Sequence, residues 1–170
     1  MKTIPAAVEW LARALAVLGG LALVAVTALT VASITGRAFT RQGLGPIPGD
    51  FELVEALTAF AVFAFLPWCQ LRRGHATVDV FTRLLPARAN RLIDLACEIL
   101  MALVVALIAW RLWHGMIDKM RYHETTFILQ FPLWWAFAAA WVAAAAGVVV
   151  SAYAVWLRLR EALAITEDAS

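Results

Sequence analysis

One transition decides how this chain is organised, and it lies at Trp68-Cys69-Gln70-Leu71-Arg72-Arg73-Gly74-His75-Ala76-Thr77-Val78-Asp79. An uncharged apolar run, residues 56–66, comes before it, and a short amphipathic piece and another apolar run come after it. An apolar segment that ends at paired arginines is typical of a membrane span that meets basic, aqueous surroundings. The stretch therefore predicts the end of a transmembrane helix.

The composition is that of a membrane protein. Of the 170 residues, 64% are hydrophobic and 15% are charged, with a mean hydropathy of +0.81. Soluble chains are about half apolar and about a quarter charged. A spanning helix needs about 20 apolar residues, so the sequence predicts one all-α integral membrane domain with four transmembrane helices at about residues 12–35, 52–71, 92–113 and 132–157. The uncharged run at 14–34 is longer than a signal-peptide core, which favours an uncleaved first span.

The distribution of basic residues predicts the orientation. With four spans, the N-terminus, the connection between spans two and three, and the C-terminus share one side, which holds nine of the 14 lysines and arginines. Because positive charge is enriched on the cytoplasmic side, both termini are expected in the cytoplasm. In the connection at 72–91, Val78, Phe81, Leu84 and Leu85 fall at helical spacing, which predicts a short amphipathic helix in the headgroup plane. An ordinary polar connection is the alternative.

Small residues suggest where helices pack closely. Ala12, Ala16 and Gly20 recur every fourth residue, and a longer ladder of the same spacing lies in the fourth span. The members of that ladder are Ala139, Ala143, Gly147 and Ser151. Such spacing lets two helices approach closely, although an alanine-rich helix also shows it by chance. Pro67 removes a backbone hydrogen bond and predicts a kink or an early end of the second span.

Four acidic residues fall near the edges of the predicted spans. Glu52 and Glu55 lie three residues apart at the start of the second span, and Asp94 and Glu98 lie four apart at the start of the third. An acid at membrane depth needs a partner, which predicts contact of Glu55, and of the Asp94 and Glu98 pair, with another subunit. Glu52 suits the positive end of the helix dipole in the first turn. Snorkelling or capping is the alternative for Glu55, and local pairing with Arg91 is the alternative for the second pair.

The sequence predicts no catalytic, cofactor-binding or metal site, and therefore not an enzyme. His75, His114 and His123 fall in loops or at span ends, where two axial haem ligands facing each other are not expected. The net charge of +2 is too small to indicate nucleic acid. Polar residues near the middle of the spans are few, whereas a transporter that binds its own substrate usually has them there. The apolar helices are therefore expected to act as a partner of another protein.

Four motifs, in this order, carry a resemblance to a known family. They are Ile34-Thr35-Gly36-Arg37-Ala38-Phe39, then Pro48-Gly49-Asp50-Phe51-Glu52-Leu53-Val54-Glu55, then Arg72-Arg73-Gly74-His75-Ala76-Thr77-Val78-Asp79 with Leu85-Pro86, and Glu124-Thr125-Thr126 before Phe131-Pro132-Leu133-Trp134. The chain resembles the small, four-span "Q-type" membrane subunit of tripartite ATP-independent periplasmic (TRAP) transporters. It departs from the family at Ala38, where an aromatic residue is common, and around Pro67 and Cys69.

The resemblance implies a multi-pass scaffold subunit in a bacterial inner membrane. A periplasmic solute-binding protein would deliver a small organic acid, and a large membrane subunit would hold the substrate and the coupling sodium, so no cofactor is expected here. Residues expected at the subunit interface or in loop structure are Glu52, Glu55, Arg72, Arg73, His75, Asp79, Asp94 and Glu98. Residues expected to face the receptor are Arg37, Arg41, Arg121 and Glu124.

A second hypothesis comes from another class of protein. Membrane anchors of redox enzymes that bind quinone or haem are also small, four-span and rich in tryptophan, and this chain has eight tryptophans. A haem absorption band in the purified protein would distinguish the anchor from the transporter subunit.

Overall fold

The computed structural model describes residues 6–72 and 87–167. Its four helices are α1 (Ala6–Ala38), α2 (Asp50–Leu71), α3 (Ala87–Arg121) and α4 (Trp134–Glu167), with one 3₁₀ turn at Thr40–Gln42. Apart from an isolated bridge between Thr125 and Pro132, the described ranges contain no β structure. Each helix is long and apolar enough to cross a membrane, which confirms the all-α class and the four spans.

The helices extend beyond the predicted spans. α3 continues past the predicted span end at residue 113 to Arg121, and α4 continues past the predicted span end at residue 157 to Glu167. Hydropathy marks only the segment within hydrocarbon, whereas helical hydrogen bonding continues as long as polar side chains can face water. α2 also continues through Pro67 to Leu71, so the predicted early end does not occur. The predicted amphipathic helix falls within residues 73–86, outside the described residues.

The four helices form a layer in the order α1, α2, α4, α3. α1 packs on α2, α2 on α4, and α4 on α3, whereas the described parts of α1 and α3 share no substantial contact. We call the end that carries the α1–α2 and α3–α4 connections the distal end. The opposite end, where α1 begins and α4 ends, is the terminal end. Because α4 lies between α2 and α3, it must bury two of its sides.

Small residues permit these contacts, at positions that differ in part from the predicted ones. α1 buries Ala12, Leu15, Gly19 and Ala22 towards α2, so Gly19 and not Gly20 forms the close contact. In the α4 ladder Ala143, Gly147 and Ser151 are buried as predicted, but Ala139 is exposed. Gly147 lies against Val105 of α3 and Pro67 of α2, which places it where three helices meet.

Much of the apolar surface of the layer remains uncovered. In the most apolar window of each span, between 11% and 33% of the residues are buried, with the highest share in α4. Large apolar side chains such as Val24, Leu103 and Val142 are more than half exposed. In a membrane protein such surface is covered by lipid or by another membrane protein.

Candidate interface sites at the two ends of the layer

At the distal end, Glu52 holds the α3–α4 connection. Its two carboxylate oxygens accept hydrogen bonds from the backbone N–H groups of Ile128, at 2.6 Å, and Leu129, at 2.9 Å. The connection is closed further by the bonds Thr126 N–Phe131 O, 3.0 Å, and Leu133 N–Glu124 O, 2.9 Å. Charge-assisted hydrogen bonds of this kind are about twice as strong as neutral ones. Glu52 therefore fixes a loop more than 70 residues away in sequence.

Asp50 joins the end of α1 to the start of α2. Its carboxylate accepts hydrogen bonds from the Ser33 hydroxyl, from the Phe51 N–H at 2.7 Å and from the Arg37 guanidinium at 3.4 Å. Gly36 closes the same connection, because a Cβ there would lie 2.2 Å from the Gly45 carbonyl oxygen. The first two predicted motifs are thus in direct contact.

A groove of about 450 Å³ lies beside these connections. α2 contributes Phe51, Glu52, Glu55, Ala56, Ala59 and Phe63. The rest of the groove is lined by α3, by the α3–α4 connection and by α4. These residues are Leu112, then Thr126, Phe127, Phe131 and Leu133, and then Ala136, Phe137 and Ala140. Glu55 is exposed and forms no hydrogen bond or ion pair with any described residue. The groove is therefore an apolar site with one carboxylate that has no partner within the described chain.

The four residues predicted to face the receptor all lie at the distal end. Arg37 pairs with Asp50, and Glu124 accepts a hydrogen bond from the Lys119 ammonium at 2.6 Å. Arg41, in the 3₁₀ turn, and Arg121, at the end of α3, are exposed and form no ion pair within residues 6–72 and 87–167. The structure thus separates two residues that stabilise the connections from two cations that are available to a partner.

At the terminal end, two predicted interface residues are paired within the chain. Arg72 donates a hydrogen bond to Glu9 of α1 at 2.7 Å and lies over the Trp68 ring at 4.6 Å. Asp94 of α3 pairs with Arg158 of α4 at 3.4 Å. These contacts join neighbouring helices. Pairing of Asp94 and Glu98 with Arg91 stays a prediction, because the Arg91 side chain lies outside the described ones, and so does their contact with a partner subunit. Arg73, His75 and Asp79 lie outside the described residues.

A buried polar cluster next to these pairs was missed by the sequence analysis. Gln70 of α2, which is 5% exposed, donates a hydrogen bond to Glu98 of α3 at 3.0 Å and accepts one from Ser151 of α4 at 2.5 Å. The Ser151 hydroxyl also lies 2.7 Å from the Gly147 carbonyl oxygen. The cluster therefore links three helices. An uncharged glutamine at a predicted span end gave no signal, although its amide needs partners once it is buried.

Within residues 6–72 and 87–167, no group of histidine, cysteine and acidic side chains is arranged to hold a metal ion. His114 lies at 2.9 Å from the Trp110 carbonyl oxygen and packs edge-on against the Trp110 ring at 4.6 Å. His123 lies in the α3–α4 connection with a φ of 51°, in the left-handed region. Both described histidines thus lie at the distal end, and neither belongs to a metal-binding group of described residues.

The fold and these sites define an all-α, multi-pass membrane protein whose polar contacts are concentrated at the two ends of its helices. The chain matches the family described as "Tripartite ATP-independent periplasmic transporters, DctQ component" over residues 26–161, and it belongs to that family. The match confirms the resemblance and makes the chain the small permease component of a TRAP transporter. This is a family of transporter components, which favours the first hypothesis over the redox anchor. No curated protein gives a significant match to the chain.

Proposed function

We propose that this chain is the static scaffold of a sodium-coupled secondary transporter that imports an organic acid, such as a C4-dicarboxylate or a related carboxylate. A large membrane subunit carries the substrate and sodium sites, and a periplasmic solute-binding protein delivers the acid. The complex lies in the bacterial inner membrane, with both termini of this chain in the cytoplasm.

The position of the polar contacts carries this proposal. The four described ion pairs, Arg37–Asp50, Lys119–Glu124, Arg72–Glu9 and Arg158–Asp94, lie at the two ends of the layer. In the middle of α1, Thr27 and Thr30 donate to their own helix, to the carbonyl oxygens of Leu23 and Val26. Transport sites usually lie near the midplane beside broken helices. Unbroken helices with apolar centres support a bracing role beside a moving subunit.

Reconstitution in liposomes tests the proposal. Vesicles with this chain alone should show no sodium-driven accumulation of a C4-dicarboxylate, and vesicles with both membrane subunits and the receptor should show it. Accumulation by the chain alone would overturn the scaffold role. Purification of the chain without any larger multi-span protein, after co-expression from its own neighbouring genes, would overturn the two-subunit arrangement.

The receptor contact is tested separately, with neutral substitutions at the two available cations. Arg41→Gln and Arg121→Gln should raise the receptor concentration needed for half-maximal uptake and weaken its dependence on salt, because exposed charges mainly speed encounter. Arg13→Gln serves as the control, since Arg13 is exposed at the terminal end. Equal effects of all three substitutions would contradict a receptor site at the distal end.

A further inference from the structure

We infer that the groove of about 450 Å³ at the distal end is the docking site of the large membrane subunit. An arginine or lysine of that subunit pairs there with Glu55. The inference rests on the proposed function, which supplies the partner. It adds the place and the chemistry of the contact between the two membrane subunits.

The shape of the groove suits side chains from a neighbouring protein. On α2 the groove is lined by the small residues Ala56 and Ala59, which leave room, and Phe137 of α4 and Leu112 of α3 also line it. Phe127 at the loop end of the groove is 93% exposed, and Phe51 of α2 is 73% exposed. Exposed aromatic side chains beside a cavity are typical of interface positions. The groove and its aromatic rim therefore form one continuous apolar surface.

The charge of the groove identifies the chemistry of the partner. Six other acids with described side chains have partners within the chain, namely Glu9, Asp50, Glu52, Asp94, Glu98 and Glu124. Of the two acids without a partner among the described residues, Asp118 lies in the polar last turns of α3, whereas Glu55 lies in the apolar groove. A carboxylate in such surroundings at membrane depth is stabilised by a cation. Charge complementarity thus favours a basic side chain as the occupant.

The wall of the groove is fixed before a partner arrives. Glu52, one helical turn before Glu55, holds the amides of Ile128 and Leu129, and this fixes the loop that carries Phe127. Leu129 lies directly against Gly49, where a Cβ would be 2.3 Å from the Leu129 Cγ. A preformed site loses less conformational entropy on binding than a flexible one. The arrangement therefore favours a permanent subunit contact.

Substitution of Glu55 tests the ion pair. In co-expressed complexes, Glu55→Lys should lower recovery of the large subunit with the small one by about tenfold or more, because it places like charges together in a desolvated contact. Glu55→Gln, which keeps the shape, should have a smaller effect. Asp118→Lys is the matched control, because Asp118 is also an exposed acid at the same end without an ion pair to any described residue. Monodisperse elution of each variant confirms that it folds.

Photocrosslinking identifies the occupant. A benzophenone amino acid at position 59 or 127 should form a crosslink to the large subunit, and mass spectrometry should place it near a basic residue. Substitution of that basic residue by glutamate should restore recovery of the large subunit with the Glu55→Lys variant. The same probe at Val24, on the exposed surface of α1, is the control.

Each result has a defined meaning. Crosslinks only to phospholipid, or only to the solute receptor, would overturn the docking site. Crosslinks to the large subunit with unchanged recovery of Glu55→Lys would overturn the ion pair. If the unsubstituted chain recovers no large subunit, the proposed function itself fails, which is distinct from failure of the groove.

Discussion

Glu52 and Glu55 show how one helical turn gives two acids different roles. They lie on one face of α2, but the α3–α4 connection reaches only Glu52, whose two oxygens both accept backbone hydrogen bonds. Glu55 lies deeper along α2 and faces the apolar groove without a described partner. The sequence predicted both acids at the subunit interface or in loop structure. It could not distinguish them, because the partner of Glu52 is a loop backbone that has no side-chain signature.

Removal of the Glu52 carboxylate should release the connection. Glu52→Ala is expected to speed deuterium exchange at the amides of Ile128 and Leu129 by roughly tenfold or more, because a hydrogen bond to a charged group contributes about 1.5–3 kcal/mol. Glu52→Gln keeps one acceptor oxygen, so its exchange rates should lie between those of the unsubstituted chain and those of Glu52→Ala. Glu55→Ala is the control, since Glu55 makes no bond to the loop. Unchanged exchange in Glu52→Ala would contradict this role.

The buried cluster around Gln70 supports a second prediction. Gln70→Leu keeps the approximate size of the side chain but leaves Glu98 without its amide donor and Ser151 without its amide acceptor. The expected loss is about 1 kcal/mol for each lost contact, as for other interhelical hydrogen bonds in membranes. It should appear as a lower thermal unfolding midpoint of the purified subunit in detergent.

Two further variants make the Gln70 measurement specific. Ser151→Ala should cost less, because Gly147 keeps its own helical hydrogen bonds. Gln42→Leu, at an exposed position of the 3₁₀ turn, should leave the midpoint unchanged. If Gln70→Leu is as stable as Gln42→Leu, the cluster does not hold the three helices together.

For the helices, the length of the apolar runs predicted their number but not their order in the layer. Four apolar runs of sufficient length are visible in composition alone, whereas the position of α4 between α2 and α3 depends on contacts distant in sequence. Gly147 and Ser151 were assigned to a packing face because they belong to a four-residue ladder. In the predicted ladder of α1, Ala12 is buried but Gly20 is not part of the contact, because the buried face follows positions 12, 15, 19 and 22 and mixes intervals of three and four.

Gly19 and Gly20 form a matched pair for testing the α1–α2 contact. A Cβ at Gly19 would lie 3.1 Å from the Ala64 Cβ and 3.4 Å from the Ala61 carbonyl oxygen, whereas a Cβ at Gly20 would meet nothing within 4 Å. Gly19→Leu should therefore push the helices apart and cost about 1–3 kcal/mol through overpacking. Gly20→Leu, at the same depth, should be tolerated. Equal unfolding midpoints in detergent would contradict the observed register.

At the scale of the whole molecule, the layer has a surface that it does not cover by itself. A closed bundle would bury one side of every helix, but here α1 and α3 lie at opposite edges, and at most a third of the residues in the most apolar window of each span are buried. Composition predicted a membrane protein with little polar surface at its centre. It could not predict an open layer, because a hydropathy pattern is the same whether lipid or another helix covers the surface.

The orientation of the layer is the last prediction, and it follows from charge. Nine basic residues on the side of the termini against five on the other place the terminal end in the cytoplasm and the distal end in the periplasm. Single cysteines in a background without Cys69 and Cys97 report this directly. In spheroplasts a membrane-impermeant maleimide should label Gln42→Cys at the distal end, and it should label Arg160→Cys at the terminal end only after permeabilisation. Because receptor contact at Arg41 and Arg121 requires a periplasmic distal end, the opposite labelling pattern would overturn both the orientation and the receptor site.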